Sequence, residues 1–183
     1  LWARGLGDVY KRQLGDGTTN DRATPVLVSG GHSWASISAG YVQTCGVTIG
    51  DDAYCWGTNP YGLGDGGSAT STTPVLVGGG HSWASVSAAT YYACGMTTQG
   101  LAYCWGDYDH GQFGDGTTTG QSIPVVAGGT QTWGAVSAGE SHTCGATESG
   151  LAYCWGGNSQ GQVGDGSNTN RVSPVLVSGG YTW

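Results

Sequence analysis

Residues 83–106, WASVSAATYYACGMTTQGLAYCWG, decide the fold because the same pattern recurs on both sides of them. Residues 34–57 are WASISAGYVQTCGVTIGDDAYCWG and residues 133–156 are WGAVSAGESHTCGATESGLAYCWG, at steps of 49 and 50 residues. Gly-Asp-Gly triplets keep the same steps, beginning at Gly15, Gly64, Gly114 and Gly164. Because many positions recur in phase, each period of about 50 residues is one supersecondary unit.

The contents of one unit predict four short strands. The small alternating residues of Trp83–Ala88 suit a crowded innermost strand near an axis. Tyr92–Thr97 and Leu101–Gly106 predict a hairpin around Thr98–Gly100, since a three-residue loop with glycine third is typical of a type I turn closed by a left-handed residue. Pro124–Val126 predicts an edge strand, where proline's missing N–H does least harm.

Both faces of the predicted hairpin are apolar. One face carries Cys94, Met96, Ala102 and Cys104, and the other carries Leu101, Tyr103 and Trp105. A four-stranded sheet that is covered on both sides fits the blades of a β-propeller, which pack between neighbouring blades. A solenoid or β-helix is the competing interpretation, but those folds favour shorter periods.

The composition excludes several classes of protein. With 37 Gly, 8 Trp and 10 Tyr in 183 residues and only 9% charged residues, the chain is neither disordered nor helical, because each helical glycine costs about 0.5–1 kcal/mol. No segment approaches the ~20 consecutive apolar residues of a membrane helix, so we expect no membrane insertion.

The charge distribution argues against nucleic acid as a partner. The net charge is −7. Three of the five cations, Arg4, Lys11 and Arg12, lie in the first thirteen residues, and only Arg22 and Arg171 follow. Binding to phosphates needs clustered cations that displace counterions, and the repeats have none.

Several recurring motifs resemble one known family. Cys-Gly-x-Thr, Tyr-Cys-Trp-Gly, Gly-Gln-x-Gly-Asp-Gly-Thr, Pro-Val-x-Val and Val-Ser-Ala-Gly, between about Leu14 and Trp183, resemble the regulator of chromosome condensation repeat. The resemblance implies a propeller that closes with seven blades in well-known members. That fold serves a guanine-nucleotide exchange factor, a plant ultraviolet photoreceptor and secreted β-lactamase inhibitors, so membership does not fix activity.

Two departures from the repeat pattern stand out. Gly64 follows Trp56 by eight residues, whereas the corresponding spacing in the next two units is nine, so one loop is a residue shorter. His142 has the His-Thr-Cys context typical of the family, but Gln43 and Tyr92 stand at the equivalent positions.

We therefore expect an all-β chain, an arc of about three four-stranded blades that is incomplete relative to a closed seven-bladed ring, with the remaining blades of the propeller missing from the chain. The predicted blades span residues 34–78, 83–128 and 133–178. Residues 14–33 would be the end of a preceding repeat with an orphan outer strand at Pro25–Val28, and residues 179–183 the start of a truncated next repeat. Residues 1–13 break the pattern and look like a non-native segment; a divergent natural strand is the alternative.

The six cysteines form three equally spaced pairs. Counting outward from the hairpin loop places Cys94 opposite Cys104 at a non-hydrogen-bonded position, where side chains approach closely enough for a disulfide. We predict the disulfides Cys45–Cys55, Cys94–Cys104 and Cys144–Cys154, with buried thiols as the alternative. Oxidised cysteines favour an extracellular, periplasmic or cell-surface location. A zinc site is disfavoured because strong zinc signatures use more closely spaced ligands.

No residue pattern points to catalysis. The repeated aspartates could suggest calcium, but an aspartate between two glycines commonly caps its own turn, which is the stronger interpretation; these residues are Asp16, Asp65, Asp115 and Asp165. His32 and His81 recur as Gly-His-Ser-Trp, which indicates a structural turn. We expect no cofactor, no metal and no enzymatic activity.

Positions that do not repeat are the better functional candidates, because repeat proteins often bind partners through variable loops on one face. The binding-loop candidates are Tyr61, Asp107, Tyr108, Asp109 and His110; plain loop variation is an equally good interpretation. The leading hypothesis is a non-catalytic scaffold for an unknown protein partner. A carbohydrate-binding propeller is the alternative, and a regulator resembling a guanine-nucleotide exchange factor ranks third.

Overall fold

The computed structural model describes residues 13–58, 61–107 and 109–183, which form three separate antiparallel sheets of four strands each. Blade 1 contains β1 (Trp34–Ala39), β2 (Gln43–Thr48), β3 (Ala53–Gly57) and β4 (Ser71–Leu76). Blade 2 contains β5 (Trp83–Ala88), β6 (Tyr92–Thr97), β7 (Ala102–Gly106) and β8 (Gln121–Val126). Blade 3 contains β9 (Trp133–Ala138), β10 (His142–Thr147), β11 (Ala152–Gly156) and β12 (Arg171–Leu176). In each blade the strands pair in chain order, which confirms the predicted all-β arc of four-stranded units.

The predicted strands are confirmed more closely in the hairpins than at the outer edge. The outer strand β8 begins at Gln121, three residues before Pro124. The prediction of an outer strand at Pro25–Val28 is wrong, because these residues form no strand. A strand at the edge of a sheet is held by backbone hydrogen bonds to its neighbour, and none of the described residues supplies a third strand to that segment.

The central hairpins turn as predicted, although in blade 1 the left-handed position is not occupied by glycine. The N–H of Gly100 donates to Thr97 O at 2.9 Å, and Gly100 has the left-handed φ of 75° that the loop requires. Gly150 does the same in blade 3, with φ of 81°. In blade 1 the equivalent residue is Asp51, which takes φ of 65° without being glycine.

Adjacent blades pack with the disulfide face of one against the tryptophan face of the next. Between blades 1 and 2, Cys45 and Cys55 share a buried cluster with Trp83 and Trp105. The joint between blades 2 and 3 repeats this arrangement with the residues Cys94, Cys104, Trp133 and Trp155. Each tryptophan pair has ring centroids 5.4–5.5 Å apart. The repeated tryptophans therefore lie at blade boundaries, as their fixed positions predicted.

The second glycine of the Gly-Asp-Gly loops at Asp65 and Asp115 joins its repeat to the outer strand of the following blade. The N–H of Gly66 donates to Ser122 O at 3.0 Å, and the N–H of Gly116 donates to Val172 O at 2.9 Å. At the inner edge the first strands of adjacent blades are also linked, since the N–H of Ala88 donates to Ser38 Oγ at 3.0 Å. The joint between blades is thus bonded at both its inner and its outer edge.

The positions where the chain departs from His-Thr-Cys connect successive blades. Gln43 Nε2 donates to Tyr92 O at 2.7 Å, and Tyr92 Oη donates to His142 O at 2.6 Å. Each side chain thus bonds the backbone of the equivalent residue in the next blade. Burial lowers the pKa of His142 and raises that of the Tyr92 phenol.

The shorter loop of blade 1 has a visible consequence one blade later. Trp155 Nε1 donates to Gln112 O at 2.7 Å, and Trp56 Nε1 makes the same bond to Gln13 O at 2.7 Å. Trp105 Nε1 is buried and has no hydrogen-bond partner in the part of the chain that the structure describes. The equivalent acceptor would come from the loop that lacks a residue.

Candidate functional site

The strand order brings the variable loops of all blades to one end of the molecule. Because neighbouring strands are antiparallel, the first and third connections of each sheet emerge at the same end. We call this end the upper face; its loops are 40–42 and 58–70, 89–91 and 107–120, and 139–141 and 157–170. Four of the five binding-loop candidates are on this face: Tyr61 in blade 1, and Asp107, Asp109 and His110 in blade 2. The fifth, Tyr108, lies outside the described residues.

A depression of about 270 Å³ lies between blades 2 and 3 on the upper face. It gathers Asp107, Asp109 and His110 with Tyr91 of blade 2 and Glu140 of blade 3. Its remaining lining residues are Thr90, Tyr92, Gln112 and Ser141. Tyr61 is not among the residues that line it, so the predicted set divides into a cluster of three and one separate tyrosine.

A larger depression of about 650 Å³ adjoins the first, where the innermost strands of all three blades end. The two depressions share Thr90, Tyr91 and Glu140 and so form one continuous surface. Tyr41 lines the far end of the larger depression, where 54% of it is exposed, and Tyr91 is 41% exposed. We call this surface, from Tyr41 to His110, the upper groove.

The upper groove is acidic. Asp107, Asp109 and Glu140 line it, and the single basic side chain among the described lining residues is His110. His110 Nε2 lies 3.3 Å from Asp109 Oδ1. The N–H of His110 donates a 2.9 Å hydrogen bond to Gln112 Oε1 within the same loop.

The arginines of the repeats are engaged elsewhere. Arg22 Nη2 lies 2.9 Å from Asp16 Oδ2, and Arg171 Nη2 lies 2.5 Å from Asp165 Oδ2. The described arginines therefore pair with turn aspartates of the Gly-Asp-Gly loops.

The aspartates of the Gly-Asp-Gly loops cap their own turns, as predicted. In all four loops the carboxylate accepts a 2.9 Å hydrogen bond from the N–H two residues later, and these residues are Asp16, Asp65, Asp115 and Asp165. Donors from Ser167, and then Arg171, lower the pKa of Asp165 to about 2. Thr18 and Arg22 lower the pKa of Asp16 in the same way.

Tyr41, Tyr91 and Glu140 line the upper groove but were not predicted from the sequence. A usable signal was present, since Tyr41, Thr90 and Glu140 occupy one repeat position with three different residues. The same criterion of non-repetition had selected the Asp107–His110 loop. What the repeat pattern could not supply was the proximity of Glu140, in blade 3, to that loop in blade 2.

No three His, Cys, Asp or Glu side chains among residues 13–58, 61–107 and 109–183 are grouped as a metal site requires. None of those residues forms a helix of the length and apolar character needed to cross a membrane.

Solved structures show which fold the arc corresponds to. Prp20p from Saccharomyces cerevisiae superposes with a TM-score of 0.71 and 20% identity over 80% of this chain and 39% of that one. Yeast RCC1 (Prp20), in the structure with bound Kap60, gives a TM-score of 0.76 and 18% identity over 95% and 44%. The CRINKLY ectodomain of the Arabidopsis thaliana receptor kinase ACR4 gives a TM-score of 0.50 and 22% identity over 72% of this chain and 42% of that one. The chain thus spans about two fifths of the length of these structures.

Family models match the second half of the chain. The model of the regulator of chromosome condensation (RCC1) repeat matches residues 99–146 and 149–182, and a second model of the same repeat matches residues 135–162. No curated protein matches the sequence. Blade 1 repeats the sequence, register and disulfide of the matched blades at a step of 49 residues. Residues 99–182 therefore consist of RCC1 repeats, and the chain forms three four-stranded blades of an RCC1-type β-propeller.

Proposed function

We propose that this chain is a non-catalytic scaffold that binds a protein partner through the upper groove. The observation that carries the proposal is the convergence of non-repeating side chains from two blades on one surface of a repeated frame. These side chains are Tyr91, Asp107, Asp109, His110 and Glu140. Residues that recur in every unit are already used in packing and turns, so a specific surface has to come from those that do not.

Solved relatives support a protein as the partner. The structure of Prp20p is described together with its binding to Gsp1p and histones, and yeast RCC1 was solved with bound Kap60. Those partners belong to those proteins. They support the coarse expectation that a propeller of this family presents its surface to other proteins.

The charge of the groove favours a partner segment rich in lysine or arginine. Three carboxylates face one histidine in the groove, so a cationic segment gains complementary electrostatics and an anionic one is repelled. The exposed rings of Tyr41 and Tyr91 add faces on which a guanidinium stacks. Rim charges of this kind raise the association rate more than they raise affinity.

An extracellular or cell-surface location belongs to the same proposal. Three disulfides support it, because such bonds persist in oxidising compartments. The similarity of the fold to a receptor-kinase ectodomain agrees with this location.

The partner class is tested by selecting binders from a random peptide library displayed on phage. The selected peptides should carry net positive charge and should lose binding to the variant Asp107→Asn/Asp109→Asn/Glu140→Gln. The matched control is Asp52→Asn/Glu148→Gln, which removes exposed carboxylates from the opposite end of the blades and should retain binding. Selected peptides that bind the groove variant as well as the original chain would exclude the upper groove as the site.

A carbohydrate ligand is the second candidate, because exposed tyrosines beside carboxylates stack on sugars and accept hydrogen bonds from their hydroxyls. Tyr41 and Tyr91 carry this alternative. Binding on a glycan array that is lost in Tyr91→Ala, with no enrichment of basic peptides, would favour it over a protein partner.

A further inference from the structure

Gln112 brings an amide donor to the depression of about 270 Å³ between blades 2 and 3. This side chain lines the depression and is only 5% exposed. Its Oε1 accepts a hydrogen bond from the N–H of His110 at 2.9 Å, whereas its Nε2 donates to no atom of the described residues. Because so deeply buried a side chain has little rotamer freedom left to lose, the Nε2 donor is pre-organised for an acceptor that a ligand supplies.

Two carboxylates and an aromatic ring line the same depression. Asp107 comes from blade 2 and is half-buried, and Glu140 comes from blade 3 and is exposed. The N–H of Asp107 donates to Tyr91 O at 2.9 Å, so these two residues are held side by side. The carboxylates and the exposed tyrosine ring favour a cation, but the amide of Gln112 needs an acceptor. The ligand therefore has to carry both a cation and a carbonyl oxygen.

The joint between blades 1 and 2 has the same backbone arrangement without this chemistry. The residues at the repeat positions of the two carboxylates and the ring are neither charged nor aromatic: Val42, Thr58 and Thr90. In the shorter loop of blade 1, Leu63 directly follows Gly62. These two residues take the places of Phe113 and Gly111, so Gln112 has no counterpart there. The set of ligand-binding groups is thus confined to one of the two joints.

We propose that the depression between blades 2 and 3, here named the arginine pocket, binds one arginine residue of the partner through its side chain and its backbone carbonyl. This inference rests on the proposed function and names the residue that anchors the partner in the upper groove. The guanidinium lies between the carboxylates of Asp107 and Glu140, with its plane against the ring of Tyr91. Gln112 Nε2 donates to the carbonyl oxygen of the same arginine residue.

Arginine fits this pocket better than lysine. Its guanidinium is planar, binds a carboxylate through two N–H groups at once and stacks on aromatic rings. It is also more weakly hydrated than an ammonium group, so it loses less hydration beside the half-buried Asp107. Lysine keeps the charge but neither the paired donors nor the flat face. Replacing the arginine by lysine should therefore weaken binding about tenfold.

The test is an NMR titration of the isotope-labelled 183-residue chain with Nα-acetyl-arginine N-methylamide, which carries both the guanidinium and the carbonyl. The backbone amides of Asp107 and Glu140 and the side-chain amide of Gln112 should shift with one dissociation constant. The corresponding lysine compound should bind about tenfold more weakly. Methylguanidinium has no carbonyl, so it should shift the two backbone amides and leave the side-chain signal of Gln112 in place.

Variants at the two carboxylates test the position of the pocket. Asp107→Asn/Glu140→Gln should abolish binding of the arginine compound. The matched control Asp52→Asn/Glu148→Gln, at the opposite end of the blades, should retain it. The proposal would be overturned by equal affinities for the arginine and lysine compounds, by shifts confined to residues outside the pocket, or by no binding of the arginine compound.

Failure of the arginine pocket is distinguishable from failure of the proposed function. Phage-selected basic peptides that require the upper groove, together with equal affinities for the arginine and lysine compounds, would exclude the arginine pocket and leave the scaffold function standing. Binding of the arginine compound at the pocket, together with selected peptides that do not need the groove, would support the pocket and contradict the proposed function.

Discussion

Replacing Tyr92 by phenylalanine isolates one bond between blades. Tyr92 is buried, and its hydroxyl donates to His142 O at 2.6 Å and lies 3.1 Å from Thr143 Oγ1. Phenylalanine keeps the ring and removes only the hydroxyl. Thr143 Oγ1 keeps its bond to Gln112 O at 2.8 Å, and His142 O keeps the hydrogen bond from the N–H of Gly139 at 2.8 Å, so the principal loss is one hydrogen bond between blades.

Because no acceptor is left unpaired, the cost is the net contribution of one hydrogen bond, about 0.5–1.5 kcal/mol. We therefore expect Tyr92→Phe to lower the free energy of unfolding by about 0.5–1.5 kcal/mol. Guanidinium chloride denaturation at pH 7 measures this as a lower midpoint with an unchanged slope. Tyr91→Phe, at the adjacent exposed tyrosine, is the control and should change stability by less than about 0.5 kcal/mol.

The dependence of stability on pH above neutrality supplies an independent check. Burial raises the pKa of Tyr92 above its ordinary value of 10.0, so the folded chain retains a proton that the unfolded chain releases. The stability difference is fully present below pH ~10 and is lost as the pH rises further. Tyr92→Phe should therefore flatten the decline of stability above pH ~10. An unchanged midpoint at pH 7 together with an unchanged alkaline decline would refute this role for the hydroxyl.

Two further substitutions address the turns. Asp51→Gly should raise the free energy of unfolding by about 0.5 kcal/mol in the same denaturation assay, because the strain of a left-handed non-glycine residue exceeds the added entropy of the unfolded chain. Asp52→Gly is the control and should not raise the free energy of unfolding. An equal gain from both substitutions would contradict the turn geometry. Asp165→Asn should destabilise the chain at pH 7 and reduce the loss of stability between pH ~4 and ~2. The ionised Asp165 carboxylate, with its pKa of about 2 in the folded state, stabilises the fold above pH ~4, and this contribution is lost as the pH falls to ~2. Identical thermal midpoints for Asp165→Asn and the original chain across pH 2–7 would show that Ser167 and Arg171 do not act through this carboxylate.

The repeating unit was predictable from local sequence patterns. The period of 49–50 residues, the alternation within each strand and the glycine-closed loops predicted the four-stranded sheets. They also placed Cys94 opposite Cys104, since the register of a short hairpin follows from its loop. These features depend on residues a few positions apart, and local pattern is sufficient for them.

The contacts between units could not be predicted from those patterns. The hydrogen bonds from Gln43 to Tyr92 O and from Tyr92 to His142 O join residues about 50 positions apart. The identity of either donor side chain does not predict which backbone carbonyl accepts its hydrogen bond. The gathering of Glu140 with Asp107 likewise depends on the rotation between two packed sheets. Pro25–Val28 shows the converse, because a sequence typical of an outer strand forms none where the described residues supply no neighbouring strand to hydrogen-bond with it.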